Sequence, residues 1–476
     1  MPRPSLDEAC TKIVATVGPA CASPDKLAEL IESGVDIFRI NTAHGSREEH
    51  EAVLASIRQA SAATNFRAGV LLDLAGPKIR LGQLASEPME CNLGEKFSFV
   101  RGTEAKAPNE LTSTYENLVD ELIVGNRVML ADGNVALIVE SVSDQRADCV
   151  VVSAGRIRSR QGINLPGVKL SVPAMLPRDT DNAIWGAQNE LDFISLSFVR
   201  TAEEVLNLKS LLKEHSSNAL VIAKIEKPEA MDNLESIVDA TDGVMVARGD
   251  LGVEIDIAQT PLAQKQIIRV CKEKLKPVIV ATQMLESMHH STRPTRAEAS
   301  DVANAILDGT DACMLSGETA IGDHPAKAVA MMNRIMQFTE QDLHHEHNHR
   351  LNSDRVHPIT SAVTTSATDI AESISAKMII IATKSGSTAW VKSNSRSAIP
   401  TLGASDSVST LRRMNLLWGI RPILATQLDN TEHFMSEMCD WGKANGQLEK
   451  GDLVVFVTGS GVVRKAHNVV IVHTVD

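Results

Sequence analysis

The stretch GVMVARGDLG, residues 243–252, begins as an apolar strand and then places Arg248 and Asp250 directly after it, beside Gly249 and Gly252. A short, near-continuous run of Val and Met is typical of a strand that is buried on both faces, as in a parallel sheet covered by helices. Charged side chains are costly in such an interior, so we expect them at the open end of the strand. The stretch therefore predicts a parallel sheet with polar residues gathered at its carboxyl edge.

Seven more apolar runs of this kind recur along the chain, separated by segments with helical periodicity; they begin at Thr11, Asp36, Gly69, Asp192, Leu220, Pro277 and Ala312. Alternating strand and helix units in this number are typical of a (β/α)8 or TIM barrel, in which all strands are parallel. The sequence thus predicts an α/β protein whose catalytic domain is such a barrel, over residues 1–80 and 169–340.

Two regions depart from the barrel pattern. More than a hundred residues separate the third apolar run from the fourth, where a barrel needs one helix. Valine-rich pieces with Asp-Gly and Gly-Asn turn signals there predict an inserted all-β lid domain, a small β-barrel, over residues 81–168. Five further apolar runs alternate with helical segments in residues 341–476, which predicts a separate C-terminal α/β regulatory domain.

Composition excludes several classes of function. A formal net charge of −13 leaves no lysine and arginine surplus for nucleic acid or an anionic membrane surface. Without a signal-like start or a run of about 20 apolar residues, the protein is predicted to be cytoplasmic. The seven cysteines are scattered and never form C-x-x-C, which predicts reduced thiols rather than disulfides or a zinc site. A solvated linker, rather than a metal site, is the interpretation of the cluster His344, His345, His347 and His349.

Polar residues end or follow most of the apolar runs. Residues spaced i, i+2 share one face of a strand and would point together into the barrel mouth. Such pairs are Arg39 with Asn41, Lys224 with Glu226, Arg248 with Asp250 and Ser316 with Glu318, while Asp73 and Thr282 end two other runs. A salt bridge that seals the barrel rim explains any single pair equally well. Several pairs together favour a common site.

The chemistry of these residues indicates phosphoryl transfer. Proteins hold Mg²⁺ with one or two carboxylates, here Glu226 and Asp250, and leave its other positions to water and substrate phosphate. Arg39 and Lys224 would stabilise the negative charge of a phosphoryl group in transit. The glycines around Asp250 predict a sharp bend that presents backbone N–H groups to an anion, and the neighbouring arginine is predicted to brace this loop.

Seven motifs together resemble the pyruvate kinase family, over essentially the whole chain: TKIVATVGPA, FRINTAHGS, LLDLAGPKIR, KIEKPEAMDNL, VMVARGDLGVEI, VIVATQMLESM and PTRAEASDVANAILDGTDACMLSGETAIG. The resemblance implies transfer of a phosphoryl group from phosphoenolpyruvate to ADP, the last step of glycolysis, with Mg²⁺ or Mn²⁺ as cofactor. It also implies a homotetramer and an allosteric effector that is a phosphorylated metabolite.

The resemblance also assigns roles to individual residues. It implies that Glu226 and Asp250 hold the metal, that Lys224 stabilises the phosphoryl group and that Arg39 bridges the phosphates. The carboxylate of phosphoenolpyruvate would be bound by backbone groups of Ala247, Gly249 and Asp250. Its methylene carbon would lie beside the side chains of Thr282 and Ser316. The nucleotide site would be lined by Pro19, Asn41, His44 and Arg80.

The chain departs from the family pattern where members that need potassium carry its ligands. Ala43 and Leu74 lack the hydroxyls found there, and Lys78 places an ammonium where a glutamate would stand. A fixed ammonium can supply the charge of a bound potassium ion, so activity independent of potassium is predicted. A solvated surface lysine is the alternative.

Two loops raise further expectations. In the lid, Gln161 replaces a lysine that relatives direct at the nucleotide phosphates, and Arg160 is a possible substitute. In the C-terminal domain, clustered hydroxyls with a glycine and a lysine suit a phosphate and predict an effector site, with a plain surface turn as the alternative. The residues of this loop are Thr383, Lys384, Ser385, Gly386, Ser387 and Thr388.

Two rival functions stay in view. Metal-dependent lyases and aldolases also use barrels with an acidic pair, but they need neither a lid nor the nucleotide-side residues Arg39, Asn41 and His44. A non-catalytic metabolite sensor would be expected to have lost catalytic side chains, and these are all present.

Overall fold

The computed structural model describes residues 9–102, 104–341, 358–428, 430–458 and 469–476, and the histidine cluster between 344 and 349 lies outside them. The described residues form a closed barrel of eight parallel strands, an inserted set of sheets and a five-stranded C-terminal α/β unit. The predicted fold class is thereby confirmed, while the residue bounds assigned to the three domains stay predictions. None of the described helices is long and apolar enough to cross a membrane.

The first three barrel strands alternate with two helices, in the order β1 (Lys12–Thr16), α1 (Pro24–Ser33), β2 (Ile37–Asn41), α2 (Arg47–Ala63) and β3 (Gly69–Asp73). Nearly every strand residue is buried, as the apolar runs predict. Helix α1 ends at Gly34, whose φ of 129° suits a residue without a Cβ. A capping box starts α2, because Ser46 and Glu49 each accept the other's backbone N–H through their side chains.

The inserted segment, the lid, is mostly antiparallel. Its elements are β4 (Met89–Cys91), β5 (Lys96–Val100), β6 (Glu110–Leu111), α3 (Leu118–Glu121), β7 (Arg127–Leu130), β8 (Val135–Val142), β9 (Arg146–Ser153), β10 (Gly155–Ile157) and β11 (Ile163–Asn164). They form a six-stranded sheet in the order β11-β7-β8-β9-β5-β6 and a two-stranded sheet of β10 and β4, rather than the single small barrel predicted. The lid packs around a buried apolar core of its own.

The two ends of the lid run side by side. The Leu81 N–H donates to the Gln161 carbonyl at 2.8 Å, and the Ile163 N–H donates to the Ile79 carbonyl at 2.9 Å. The lid is therefore joined to the barrel by a pair of hydrogen-bonded connecting strands.

The chain returns to the barrel and completes it. The remaining elements are α4 (Pro177–Gln188), β12 (Phe193–Leu196), α5 (Ala202–Glu214), β13 (Leu220–Ile225), α6 (Pro228–Asp232), α7 (Leu234–Ala240), β14 (Gly243–Ala247), α8 (Arg248–Glu254), α9 (Thr260–Glu273), β15 (Val278–Ala281), α10 (Arg296–Asp308), β16 (Ala312–Leu315), α11 (Gly317–Ala320) and α12 (Pro325–Gln341), with 3₁₀ turns at Ile257–Gln259 and Glu286–His289. The barrel order is β1-β2-β3-β12-β13-β14-β15-β16, and β16 pairs with β1. All eight predicted runs are barrel strands.

The C-terminal unit is a second, open sheet. It comprises α13 (Pro358–Ser373), β17 (Met378–Ala382), α14 (Ser387–Ser393), β18 (Thr401–Ser405), α15 (Val408–Met414), β19 (Ile420–Leu424), α16 (Thr431–Ala444), β20 (Leu453–Thr458) and β21 (Val469–Thr474). The sheet order is β19-β18-β17-β20-β21, in which β21 is antiparallel to β20. Its five strands are the five runs predicted from the sequence.

The amino end of the barrel repeats one arrangement four times. An aspartate just before every second strand accepts a backbone N–H from near the start of the preceding strand, at 2.8 to 2.9 Å: Asp36 from Ile13, Asp192 from Val70, Asp242 from Val221 and Asp311 from Val278. Each carboxylate also lies within 4.0 Å of one cation. The repeat joins neighbouring strands where they enter the barrel.

The C-terminal unit covers this amino end. It supplies two of the four cations, because Arg412 lies 2.8 Å from Asp192 and Arg396 lies 2.8 Å from Asp311. Its Leu416 packs against the apolar side chains that fill the barrel. The opposite, carboxyl end is left to the lid.

Candidate active site

A buried cluster of charges at the carboxyl end is centred on Asp73, the last residue of β3. Arg39 donates through Nε to Asp73 Oδ2 at 2.8 Å and through Nη1 to the Thr16 hydroxyl at 3.0 Å. The Ser195 hydroxyl donates to Asp73 Oδ1 at 2.7 Å. Burial would raise the pKa of Asp73, but Lys224 and Arg39 outweigh it and lower the pKa to about 2. Asp73 is therefore ionised and fixes both cations.

Lys224, near the end of β13, is surrounded by acceptors. Its Nζ lies 2.8 Å from the Ser197 hydroxyl, 3.0 Å from Glu226 Oε1 and 3.3 Å from Asp73 Oδ1. Burial lowers the pKa of Lys224, but the Asp73 and Glu226 carboxylates outweigh it, so the pKa is raised above its usual value. The result is a buried, charged ammonium held in one place.

Glu226 is fully buried beside this ammonium. Its Oε2 accepts the Phe198 N–H at 2.7 Å, whereas Oε1 has no aligned hydrogen-bond donor among the described residues, despite the short ion-pair distance to Lys224. Burial raises the pKa of Glu226, Lys224 opposes the rise, and the neighbouring Asp250 carboxylate adds to it. The described residues contain no cluster of three or more His, Cys, Asp or Glu side chains that could hold a metal ion. The effect of Asp250 on the pKa of Glu226 indicates that these two carboxylates are neighbours, and two is a number of carboxylates that Mg²⁺ commonly takes.

The i, i+2 pattern predicted for Arg248 and Asp250 is wrong, because β14 ends at Ala247 and both residues lie on α8. Arg248 turns away from the mouth: its Nη1 donates to Asp301 at 2.8 Å and its Nη2 to the Thr282 carbonyl at 2.8 Å. These contacts confirm that Arg248 braces the loop. Asp250 alone of the pair remains with the charged cluster.

The pattern also fails for Ser316 and Glu318, since β16 ends at Leu315 and Glu318 lies on α11. Glu318 accepts the Ser316 N–H at 2.7 Å and the Leu285 N–H at 3.1 Å, so it holds two loops together. The Ser316 hydroxyl is buried and has no hydrogen-bond partner in the described part of the chain. Ser316 thus keeps hydrogen-bonding capacity for a ligand.

Thr282 follows β15 in a conformation that is unfavourable for a β-branched residue, with φ of 70°. Its hydroxyl donates to the Ala281 carbonyl at 2.7 Å and accepts the Gly249 N–H at 2.8 Å. Residues held in this region of φ are often found at functional sites. The backbone strain and the two hydrogen bonds fix the hydroxyl against the start of α8.

Gly249 and Gly252 lie within α8, so the sharp bend predicted there is wrong. A Cβ on Gly249 would come within 3.3 Å of the Thr282 hydroxyl oxygen, and one on Gly252 within 3.2 Å of the Thr260 hydroxyl oxygen. Both glycines therefore allow close approach of helix α8 to its neighbours.

The residues predicted for the nucleotide lie on the side of β2 and the lid connection. Asn41 Oδ1 accepts the Ala43 N–H at 3.1 Å. Burial lowers the pKa of His44, and the positive charges of Arg80, Arg39 and Lys78 lower it further. Pro19 belongs to the loop that follows β1. This side of the site gathers positive charge.

Lys78 lies between the nucleotide side and the metal side. Its Nζ is 3.2 Å from Asp250 Oδ1, and its side chain is 32% exposed. Leu74, which stands where the family resemblance implies a potassium ligand in other members, is fully buried. Lys78 is thus a partly buried, paired ammonium rather than a solvated one.

The lid loop that carries Arg160 and Gln161 is folded on itself. Gln161 Oε1 accepts the Arg158 N–H at 2.7 Å, and Arg160 has φ of 65°. The Arg160 carbonyl accepts from Arg80 Nη1 at 3.1 Å. The Gln161 side chain is therefore used within its own loop.

The loop predicted to bind an effector lies between β17 and α14. Thr383 is buried and its hydroxyl accepts the N–H of Gly386, which has φ of 87°. The exposed Ser385 and Ser387 hydroxyl oxygens lie 2.8 Å apart. The Thr410 hydroxyl donates to the Lys384 carbonyl at 2.9 Å. Thr388 is buried on α14.

The sequence reasoning missed the central role of Asp73 and the hydroxyls of Thr16, Ser195 and Ser197. Asp73 could have been found, because it ends the third apolar run as Lys224 and Glu226 end the fifth. The hydroxyls carry no comparable signal, since Ser and Thr are common in strands.

Comparisons with known proteins cover nearly the whole chain. A family model described as "Pyruvate kinase, barrel domain" matches residues 9–329, and one described as "Pyruvate kinase, alpha/beta domain" matches residues 361–473. A pyruvate kinase of Geobacillus stearothermophilus is 40% identical over 454 residues, which is 94% of this chain and 77% of that protein. For a pyruvate kinase of Clostridium acetobutylicum, identity is 38% over 458 residues, 94% of this chain and 96% of that one. The crystal structure of a pyruvate kinase from Cryptosporidium parvum matches with a TM-score of 0.92 at 32% identity, covering 99% of this chain and 97% of the other.

Proposed function

The chain belongs to the pyruvate kinase family and is a phosphotransferase, and we propose that it transfers the phosphoryl group of phosphoenolpyruvate to ADP, giving pyruvate and ATP. The observation that carries the proposal is the grouping of Lys224, Glu226 and Asp250, in which Lys224 Nζ lies 3.0 Å from Glu226 Oε1. Glu226 is fully buried, and Asp250 is close enough to raise its pKa, so two carboxylates and one ammonium meet in one place, which a single salt bridge at the rim does not require.

In this proposal the bond from phosphorus to the enol oxygen breaks, a bond to a terminal oxygen of ADP forms, and the enolate takes up a proton at its methylene carbon. Lys224 and Arg39 stabilise the negative charge that spreads over the phosphoryl oxygens. Both cations are already held by Asp73, so little reorganisation is needed in the transition state. This preorganisation is the contribution of the buried cluster to the rate.

The start of α8 and its neighbours would hold the enolate. Backbone groups of Ala247, Gly249 and Asp250 bind the carboxylate of phosphoenolpyruvate, and Thr282 and Ser316 flank the methylene carbon. The Thr282 hydroxyl accepts the Gly249 N–H at 2.8 Å, and this contact between the two segments supports a shared role for them in binding the substrate. Asn41, His44, Pro19 and Arg80 line the nucleotide side.

Glu226 and Asp250 would hold Mg²⁺, or Mn²⁺ in its place. The donor set fits, because both side chains offer hard carboxylate oxygens, and Glu226 Oε1 has no aligned hydrogen-bond donor among the described residues although Lys224 Nζ lies 3.0 Å away. When bound, the ion supplies positive charge to the substrate phosphate.

The direct test is ATP formation from phosphoenolpyruvate and ADP with Mg²⁺, in a coupled assay. The wild-type chain is expected to form ATP, and Glu226→Gln to lose at least about two orders of magnitude in turnover. Glu140→Gln is a matched control, because Glu140 forms an exposed ion pair with Lys96 within the lid. Carbon–carbon bond formation or cleavage without ATP would favour a lyase or aldolase, and binding without turnover would favour a sensor.

We further propose that turnover is independent of potassium. Lys78 supports this proposal, because its ammonium lies 3.2 Å from Asp250 and contributes to the positive charge around His44. Ala43 and the buried Leu74 offer no hydroxyl ligand for the ion. Equal turnover in sodium, potassium and tetraalkylammonium buffers is the expected result; strong activation by potassium would contradict it.

We also propose that a phosphorylated metabolite activates the enzyme through the loop after β17. The exposed, adjacent hydroxyls of Ser385 and Ser387 and the positive residue Lys384 support this role. Sugar phosphates and nucleotides would be screened for a change in phosphoenolpyruvate saturation. Ser385→Ala with Ser387→Ala should abolish the response, while the hydrogen bond from the Gly386 N–H to the Thr383 hydroxyl stays available to shape the loop. Ser409→Ala is the control, and a retained response in the double variant would dismiss the site.

The homotetramer and the cytoplasmic location stay proposals. Large apolar side chains on the barrel surface support association, such as Ile257 and Leu262 at 77% and 68% exposed. Sedimentation at several concentrations would test the assembly against a 51.3 kDa monomer.

A further inference from the structure

A buried ion pair beside the phosphoryl-transfer cluster joins the two segments that carry the proposed metal carboxylates. Lys227 directly follows Glu226, and Glu254 lies one helical turn after Asp250 on α8. Lys227 Nζ donates to Glu254 Oε1 at 2.7 Å, and the two side chains are 11% and 1% exposed. The pair therefore fixes the spacing between the loop after β13 and helix α8.

The lid contacts the same ion pair. Asn164, in β11, donates through Nδ2 to Glu254 Oε1 at 3.3 Å and is buried. Nearby, a Cβ on Gly133 would lie 3.7 Å from Val253 Cγ1, so a lid turn also approaches α8. One side of this helix thus belongs to the interface between lid and barrel.

The other connecting strand of the lid, which carries Lys78, contacts the same helix one turn earlier. Lys78 donates to Asp250 Oδ1 at 3.2 Å. Lys78 precedes the lid and Asn164 ends it, and the hydrogen bond from Ile163 to Ile79 holds the two strands together. Residues i and i+4 lie on one face of a helix, so both strands contact the same face of α8. A movement of the lid must carry α8 with it or break these contacts.

We propose that Glu254 is a positioning residue and that the contact of Asn164, Glu254 and Lys227, the latch, couples the position of the lid to that of Asp250 and Glu226. The proposal rests on the proposed function, since it takes these two carboxylates to be the metal ligands. When the lid closes over the site and excludes water from it, the latch would then bring Glu226 and Asp250 into the positions in which they hold the metal.

A purely stabilising role explains the latch less well. Buried ion pairs are often no more stabilising than apolar side chains of the same size, because desolvation offsets the attraction. In the latch, both donors converge on Oε1 and the buried Oε2 has no hydrogen-bond partner in the described chain, which makes it a poor device for stability. Its geometry instead links three separate segments at one atom.

The test compares two asparagines of the lid in the full-length protein. Asn164→Ala removes the link to Glu254, whereas the control Asn126→Ala removes a bond within the lid, since Asn126 Oδ1 accepts the Ile123 N–H. Amide hydrogen exchange of α8 is measured without metal, and the dissociation constant of Mn²⁺ is measured by electron paramagnetic resonance. A lost hydrogen bond of this kind predicts that Asn164→Ala speeds α8 exchange and weakens Mn²⁺ binding by about three- to tenfold. Asn126→Ala should change neither.

Two substitutions of Glu254 separate geometry from stability. Glu254→Gln keeps an acceptor for both donors and should hold the Mn²⁺ dissociation constant within about threefold, whereas Glu254→Leu should lose the coupling. If Glu254→Leu fails to fold, Asn164→Ala and Glu254→Gln still decide the matter. In steady-state kinetics Asn164→Ala should lower kcat more than it raises the KM for phosphoenolpyruvate.

Unchanged α8 exchange and Mn²⁺ affinity in Asn164→Ala would overturn the proposal, as would equal losses in Asn126→Ala. The exchange measurement needs neither metal nor substrate. A wild-type chain that forms no ATP would therefore contradict the proposed function, while the exchange in α8 would still report on the latch.

Discussion

The two ends of the barrel both bury aspartates beside cations, yet the surroundings shift the pKa of Asp73 at one end and of Asp192 at the other in opposite directions. At the carboxyl end, burial of Asp73 is outweighed by Lys224 and Arg39, and the pKa falls to about 2. At the amino end, burial of Asp192 prevails over Arg412 and raises the pKa to about 6. Arg39 and Lys224 both contact Asp73, whereas Arg412 contacts Asp192 and Arg413 acts on it more weakly.

This difference separates a structural charge from a functional one. Each amino-end aspartate accepts a backbone N–H and meets one cation, so its bonding is complete. At the carboxyl end, charged side chains from three strands, Arg39, Asp73 and Lys224, contact one another, and the Ser316 hydroxyl has no hydrogen-bond partner within the described residues. The meeting of several charges from different strands, rather than burial of a charge itself, marks the site.

The largest effect is expected from exchanging lysine for methionine at each end. Lys224→Met should lower kcat by at least about 10³-fold, because it removes a preorganised charge from the transition state. Lys12→Met is the matched change at the amino end, where Lys12 donates to the Ile420 carbonyl at 2.8 Å. It should lower stability and leave kcat within about twofold. Comparable kcat losses in both variants would remove the distinction between the ends.

Next in size is the loss of an amino-end arginine. Arg396→Met leaves Asp311 buried without its cation and should reduce the free energy of unfolding by about 3 kcal/mol, with kcat unchanged. Urea unfolding followed by tryptophan fluorescence measures the change. Arg156→Met, which breaks an exposed lid pair with Glu90, should alter stability by less than about 1 kcal/mol. A large kcat loss in Arg396→Met would show that this end is not purely structural.

Two threonines sharpen the comparison further. Thr282→Ala should lower kcat by about 10²-fold if its hydroxyl assists protonation of the enolate. Thr310→Ala, at the amino end, removes a hydroxyl that donates to the Val278 carbonyl and should spare kcat. Deuterium incorporation into pyruvate, followed by NMR, reports on protonation alone. Normal incorporation by Thr282→Ala would exclude the proposed role.

The smallest effect is a dependence of stability on pH. The pKa of Asp192, raised by burial from 3.8 to about 6, means that the folded state binds a proton more tightly than the unfolded state. This group therefore adds stability as pH falls from about 6 towards 4, up to about 2 kcal/mol. Asp73, with its lowered pKa, acts in the opposite direction, and its contribution is lost as pH falls below about 4.

Asp192→Asn isolates this effect. The Tm of the wild type and of the variant is measured from pH 7 to pH 4. As pH falls, the Tm of the wild type should rise relative to that of the variant. A constant difference over that range would mean that Asp192 stays ionised in the folded protein.

The architecture could be read from the sequence because strand burial leaves a direct trace. All eight barrel runs and all five C-terminal runs are strands, since Val, Ile and Leu on both faces distinguish them from the amphipathic helices. Whether the lid strands close into a barrel could not be read from the sequence, because the pairing of short strands depends on contacts distant in sequence. The amino-end aspartates were visible before several apolar runs, but nothing local shows that each accepts an N–H from the preceding strand.

The site was predictable in its residue types and less so in its geometry. Lys224 and Glu226 lie together as their strand spacing predicts, whereas Arg248 and Asp250 do not, because a helix begins at Arg248. That helix has seven residues and includes two glycines, so its local propensity is weak and packing determines it. Asp73 was seen as a strand end, but its role depends on cations from two other strands.

The paired connecting strands of the lid also bear on how such an enzyme is assembled in evolution. Because the Leu81 N–H meets the Gln161 carbonyl at 2.8 Å, the chain leaves and re-enters the barrel at nearly one point. Because the ends of the inserted segment are adjacent, the entropic cost of closing it as a loop of the barrel grows only slowly with its length. We therefore expect chimaeras that exchange this segment between relatives to retain the parental barrel.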